Sequence, residues 1–264
     1  MDDPFDISGP ALISFSGGRT SGYMLRRILD CGLQPDVHVV FSNTGKERPE
    51  TLDFVRDCGV DWGVPIVWLE YRDDGFAEVD HGSASRDGSP FAALIRKRKF
   101  LPNPVARFCT QELKIRIMGK FMRGLGHDHW TNVVGIRADE PRRIAKILAP
   151  NRERWENVAP LAAAGVTEPD VLAWWKRQPF DLRLRSHEGN CDLCFLKGRT
   201  KREAIIRDRP DLAQWWAEQE AATGGRFRAH SPDYATLMRQ GAETQPLPFS
   251  GELPDDLADC ICNA

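Results

Sequence analysis

No apolar stretch in this 264-residue chain reaches the roughly 20 residues that a membrane-spanning helix needs. The acidic start, Met1-Asp2-Asp3-Pro4, has neither the basic nor the apolar part of a secretory leader. A cytoplasmic protein with no membrane contact is therefore expected. The net charge is only −2, so there is no global positive field to recruit nucleic acid. Internal repeats and low-complexity segments are also absent, which excludes solenoids, and the Gly- and Pro-rich tail beyond Gly224 is expected to wrap rather than fold by itself. Seven cysteines, an odd number without an export signal, argue against a disulfide scaffold.

What is present begins with Ala11-Leu12-Ile13, a short apolar run that passes into Ser14-Phe15-Ser16-Gly17-Gly18-Arg19-Thr20-Ser21 and then into a helical pattern. A buried strand ending in Ser-Gly-Gly at a helix start brings backbone N–H groups, hydroxyls and the positive end of a helix to one point, which suits a phosphate. Gly17 and Gly18 permit close approach of the chain, and Ser14, Ser16, Thr20 and Ser21 supply small hydroxyl donors. The loop is not a Walker motif, since no Gly-Lys-Ser/Thr follows, nor the spaced glycine fingerprint of dinucleotide folds.

Residues 20–30 read as a helix, Val37 to Phe41 as a second strand ending in Ser42-Asn43-Thr44-Gly45, Pro49 to Val55 as a helix, and Ile66 to Leu69 as a third strand. The alternation predicts a doubly wound, mostly parallel α/β sheet whose strand ends share one edge. Residues 71–107 are polar and glycine-rich and are expected to form a long irregular flap over the substrate. A helix from Phe108 to about Leu125 and a fourth strand, Thr131 to Ile136, lead to Gly135-Ile136-Arg137 and Asp139-Glu140-Pro141-Arg142-Arg143. Arginines at a strand's carboxyl end can clamp phosphate or sulfate with a planar fork. Thr167 and Asp170 predict a helix cap before a core pair, Trp174 and Trp175, and further helices follow over Lys201–Arg207 and Leu212–Ala222. The division expected is a nucleotide-binding α/β domain over 1–160 and a helical, cysteine-bearing subdomain and tail over 161–264. Only two basic clusters, Arg96–Lys99 and Lys197–Arg202, offer phosphate contacts to a nucleic acid.

Cys31 and Cys58 sit in apolar or amphipathic surroundings and read as buried structural residues. Cys191-x-x-Cys194 and Cys260-x-Cys262 read as ligands together with Cys109. A C-x-x-C pair binds zinc, holds an iron–sulfur cluster or performs thiol redox chemistry. Two thiolates do not complete a metal site, so Cys109 and one of Cys260 or Cys262 are the candidates to close it.

In order along the chain, Ser16-Gly17-Gly18-x-x-Ser21, Ser42-Asn43-Thr44-Gly45, Cys109 to Lys114, Gly135-x-Arg137-x-x-Glu140-x-x-Arg143 and Gly189-x-Cys191-x-x-Cys194 together resemble the phosphoadenosine phosphosulfate reductase family. That family lies within the PP-loop ATP pyrophosphatases, and the likeness is strongest to its branch in phages and mobile elements. The resemblance implies an adenine nucleotide alpha-hydrolase-like fold with a cysteine-rich C-terminal extension. It implies ATP or a sulfonucleotide on Ser16 to Ser21, the base near Ser42, Asn43 and Thr44, and acidic groups met by Arg137, Arg143 and Lys114. It also implies a [4Fe-4S] cluster on Cys109, Cys191 and Cys194, either closed by Cys260 or Cys262 or left with one iron open to a sulfide or substrate thiol, with zinc as the alternative.

Two departures bear on the reaction. Thr20 stands where many relatives carry Asp, which removes a carboxylate that could assist Mg²⁺. The end Asp259-Cys260-Ile261-Cys262 lacks the Gly and His of the reductase tail motif Glu-Cys-Gly-x-His, so a nucleophilic role would fall to Cys260 or Cys262. Three functions follow as expectations. The first is ATP-dependent adenylation with sulfur transfer to an acceptor such as tRNA, using a sulfur-donor protein. The second is sulfonucleotide reduction, and the third a non-catalytic nucleotide- and cluster-binding module.

Overall fold

The computed structural model describes residues 3–185 and 187–243. Cys260 and Cys262 lie outside the described residues. Among the described residues, eleven α-helical segments and one π-turn surround a six-stranded sheet in the order β4-β3-β2-β1-β5-β6. The strands are β1 (Ala11–Ser14), β2 (Val37–Asn43), β3 (Ile66–Arg72), β4 (Gly75–Val79), β5 (Trp130–Val134) and β6 (Trp155–Val158). All pairings are parallel except β3 with β4.

β1 is central because its side chains serve both faces. Ala11 and Ile13 point into one apolar layer and Leu12 into the other, the period-two alternation of a strand buried on both sides. On the first face α1 (Arg19–Cys31) and α2 (Pro49–Asp61) bury Met24, Leu25, Ile28, Leu52 and Val55. α7 (Pro160–Ala163) and α8 (Glu168–Trp175) complete that layer, with Trp175 packed on Phe54 at 4.9 Å between ring centres. The expected cap of α8 is present: Thr167 and Asp170 form a reciprocal capping box.

The second face carries α3 (Ser89–Arg98) and a continuous rod made of α4 (Phe108–Thr110), a π-turn (Gln111–Ile115) and α5 (Arg116–Gly124). α6 (Pro141–Ile147) crosses the same face between β5 and β6, seating Ile144 and Ile147 against Val134, Ile136 and Ala159. α9 (Arg199–Asp208), α10 (Asp211–Thr223) and α11 (Tyr234–Glu243) pack there around Trp216, Phe227 and Tyr234. Crossovers after β1 and after β5 thus go to opposite faces. The strand order reverses between those two parallel strands, where open α/β sheets leave a crevice at their carboxyl ends.

Three expectations are corrected. Residues 71–107 are not one irregular flap. A tight turn at Asp73-Asp74 pairs β4 with β3, and Gly88 with Pro90 opens α3. The β6 strand, absent from the periodicity reading, forms because Trp155 and Val158 lie in register with Trp130 and Val133. Cys31 is exposed, since α1 keeps no buried side beyond Ile28, and its thiol meets Asp3. Cys58 is buried, and burial pushes its thiol pKa up.

Candidate functional site

The loop between β1 and α1 turns at Gly17, whose φ of +74° lies in the left-handed region. A Cβ there would stand 2.8 Å from methyl groups of both Thr51 and Val55, so this position needs glycine for space as well as for conformation. The turn is tied down by its own hydroxyls. Ser16 Oγ and Ser21 Oγ are 2.9 Å apart, and Ser21 Oγ also donates to Gly18 O. Gly135 approaches so closely that a Cβ would meet Ser21 Cα at 3.2 Å. Glycine at 135 therefore brings the end of β5 to the start of α1.

Arg137 follows on that loop and donates from Nη1 to Thr20 Oγ1 at 3.2 Å. Burial works against its charge, but Glu140, Glu168 and Asp139 surround it and hold its pKa above the ordinary guanidinium value. Arg143 pairs with Glu140. Arg19 is committed elsewhere: its guanidinium forms a two-pronged pair with Asp181 at 2.7 and 2.8 Å and also reaches the carbonyls of Leu182 and Leu184.

Beneath the loop, on the second face of the sheet, a cavity is lined by Ser14, Ser16, Ser42, Lys114, Met118, Asn132 and Trp155. The Ser42 hydroxyl is buried there without a hydrogen-bond partner. Lys114 comes from the π-turn, the kind of helix irregularity that often re-aims a functional side chain. A second cavity of about 400 Å³ adjoins it through Ile115, Asn132 and Trp155 and is bounded by Arg107, Gln111, Arg143 and Lys146. Its polar floor is a chain of amides: Asn132 donates to Asn157 at 2.7 Å, and Asn157 to the Ile147 carbonyl at 3.1 Å. Trp155 stacks on Trp130, ring centres 5.2 Å apart and planes 28° from parallel.

Asn43 and Thr44 are not open to this space. Asn43 donates to Glu70 at 2.6 Å and to Ser85 O at 2.8 Å, while Thr44 gives both its N–H and its hydroxyl to Glu47. Glu70 also accepts from the Ser85 N–H and hydroxyl and thereby pins the 80–88 loop over the ends of β2 and β3.

The cysteine loop lies alongside. Glu47 and Cys191 form an antiparallel bridge, flanked by Arg48 N–H to Asn190 O and Asp192 N–H to Lys46 O, each 2.9 Å. Buried ion pairs close the two segments together, Lys46 with Asp192 at 2.8 Å and Arg48 with Glu188 at 3.2 Å. The Trp216 indole N–H donates to Asp192, and the Tyr234 hydroxyl to Leu193 O. Burial raises the Glu188 pKa, but hydrogen bonds from Arg185 and the charge of Arg48 hold it below the usual glutamate value. One residue joins this clasp to the phosphate loop: the Asn190 amide donates to Ser16 O at 2.8 Å.

Cys191 and Cys194 are buried, and half-buried Cys109 packs against the same apolar cluster. Among the described residues, no three His, Cys, Asp or Glu side chains are grouped so as to hold a metal ion.

Sequence reasoning missed Glu47, which is nearly fully buried with its carboxylate 3.7 Å from both Lys114 Nζ and Cys191 Sγ. Its local signal, an acid two residues before Pro49, reads only as a helix start. The basic cluster at 197–202 is also mostly not a surface, Arg199 excepted. Lys197, Lys201 and Arg202 are buried, with Lys197 donating to Cys191 O and Arg202 to Ser231.

Residues 10–182 match the family described as the phosphoadenosine phosphosulfate reductase domain. An uncharacterised nin region protein, ORF290 of Escherichia phage lambda, is 34% identical over 249 residues, spanning 87% of this chain and 80% of that one. An uncharacterised protein of Methanocaldococcus jannaschii is 31% identical over 136 residues, which cover 51% of this chain and 24% of that one. Among solved structures, phosphoadenylyl-sulfate reductase from Candida auris in a phosphate complex aligns with a TM-score of 0.42 and 16% identity, over 66% of this chain and 79% of its own. The U34-tRNA thiolase NcsA from Methanococcus maripaludis, with its [4Fe-4S] cluster, aligns at 0.44 and 13%, over 92% and 76%.

Proposed function

Because this chain belongs to the phosphoadenosine phosphosulfate reductase domain family, we propose that it is a nucleotide-dependent enzyme of sulfur chemistry that activates an acceptor with ATP and then replaces the activated oxygen by sulfur. The observation that carries this reading is the junction of the Ser16–Ser21 turn with a cavity containing a buried, unpartnered Ser42 hydroxyl and Lys114. Phosphates belong at the start of α1, where the glycine turn meets the positive end of the helix and Arg137 stands beside Thr20. The nucleoside lies toward Ser14, Ser42 and Lys114 at the mouth of that cavity, whose own free volume, about 30 Å³, is water-sized.

In the first step an acceptor oxygen attacks the α-phosphorus and pyrophosphate leaves. In the second, hydrosulfide from a sulfur donor attacks the activated carbon and AMP leaves, so no net oxidation occurs. Lys114, Arg137 and Arg143 would meet the charge that develops on the phosphate oxygens. Cys109, Cys191 and Cys194 are the candidate ligands of an iron–sulfur cluster or zinc, closed by Cys260 or Cys262. No step is assigned to that group.

ATP turnover to AMP and pyrophosphate, dependent on sulfide and an acceptor, tests the reading, and failure to bind ATP would end it. Release of sulfite from a sulfonucleotide with a thiol reductant would favour reduction instead. Iron, zinc and acid-labile sulfide per chain after anaerobic purification decide what the cysteines hold.

A further inference from the structure

We propose that the groove between α3 and α5 binds single-stranded nucleic acid and leads it to the cavity beside the phosphate loop. That a nucleic acid is the acceptor rests on the function proposed above, whereas binding in the groove does not.

The groove, about 340 Å³, is lined by Arg72, Lys97, Arg98, Arg116 and Lys120, against only two carboxylates, Asp73 and Glu112. These carboxylates do not neutralise it. Glu112 is shared by Arg98 and Arg116, and Lys97 Nζ donates to the Asp73 carbonyl oxygen at 2.7 Å rather than to its carboxylate. Arg72 is paired with the buried Glu70, so five cations face three carboxylates, Asp73, Glu112 and Glu70, and a net positive charge remains. Arg116, Lys120 and Arg123 recur at helical spacing along the exposed side of α5. In a chain of net charge −2, this concentration of positive charge is local. A concave row of cations fits a chain of phosphates and not a flat bilayer.

Apolar groups stand at the end of the groove. The Arg98 guanidinium lies over the Phe108 ring, which packs edge-on against Phe100, and Phe100 and Val105 are 47% and 95% exposed. Cations beside an accessible aromatic face are what an unpaired base stacks on. The route then continues around the start of one helical rod. Glu112 and Arg116 face the groove, while Arg107, Thr110, Gln111 and Ile115 line the larger cavity, which opens through Ile115, Asn132 and Trp155 on the one beside the phosphate loop. A strand held in the groove can thus place one base in that cavity.

The test is fluorescence anisotropy of a labelled 20-nucleotide single strand, DNA or RNA, with the full-length protein. Binding should weaken about 50-fold between 50 and 200 mM salt, as about four neutralised phosphates require. The variant K97E/K120E should lose at least about tenfold, whereas K176E/R177E, an equal charge change at exposed residues on the other face, should lose little. Phe100→Ala should weaken the oligonucleotide about fivefold without affecting heparin, which cannot stack. No binding at 50 mM salt, equal losses in both charge variants, or heparin and polyglutamate binding as tightly as the oligonucleotide would overturn the proposal. ATP binding is read in the same samples and should be unchanged in every variant. ATP turnover without oligonucleotide binding would overturn this inference alone. Oligonucleotide binding without ATP binding would overturn the proposed reaction and leave the groove standing.

Discussion

The phosphate loop and the cysteine loop meet at Asn190 but treat their polar groups in opposite ways. Around Ser16–Ser21 the turn itself is held by hydroxyl and backbone hydrogen bonds, its one ion pair, Arg19 with Asp181, lying on the α1 side, and a neighbouring serine hydroxyl at Ser42 is left unpaired. Around Lys46–Arg48 and Glu188–Asp192, full charges are buried and matched. The first arrangement leaves groups available to a ligand. The second makes one local geometry much more favourable than any loosened one, since an unmatched buried charge costs several kcal/mol.

The contrast breaks most sharply at Asp192. Asp192→Ala strands the Lys46 ammonium and the Trp216 N–H, and should cost about 3–5 kcal/mol in urea unfolding. The double change Lys46→Met, Asp192→Leu should cost clearly less than that single one, because no buried charge remains. On the phosphate loop, Gly17→Ala should cost about 1–3 kcal/mol through the clash with Thr51 and Val55 and the strained backbone, and should abolish nucleotide binding by calorimetry.

A pH series separates the two loops further. The Glu188 carboxyl titrates below the ordinary 4.5 in the folded chain, so the unfolded chain takes up that proton first. Its contribution is complete above about 4.5 and is lost as pH falls toward the lower folded value. Stability measured from pH 6 to 3.5 should decline more steeply in the wild type than in Glu188→Gln. The smallest effect on stability belongs to Ser42→Ala. Removing an unpaired buried hydroxyl should change stability by no more than about 0.5 kcal/mol, while nucleotide affinity falls about five- to tenfold, the worth of one good hydrogen bond. An unchanged affinity would place the nucleotide elsewhere.

The glycine turn before α1, the strand–helix–strand order and the pairing of Thr167 with Asp170 were legible because each depends on a local pattern in the chain. The antiparallel β4 and the edge strand β6 were not, since a four- or five-residue strand is defined by its partner and not by its own pattern. Arg96–Lys99 and Lys197–Arg202 make the same point. Both are basic runs at a helix end, yet one is exposed while the other is threaded under α11 and the cysteine loop. Only the long-range contacts of Ser231 and Tyr234 decide the second case. Asn43 and Thr44 were legible as a motif but not as a brace, because Glu70 and Ser85, which hold Asn43, are distant in sequence.

The stacked indoles of Trp130 and Trp155 also make the protein its own optical probe. Two chromophores this close and nearly parallel share an excited state, so the pair should contribute a couplet to the ultraviolet circular dichroism that a lone tryptophan does not. Trp155 borders both cavities beside the phosphate loop. A molecule entering either one therefore changes the colour balance of that couplet, and occupancy can be followed in unlabelled protein.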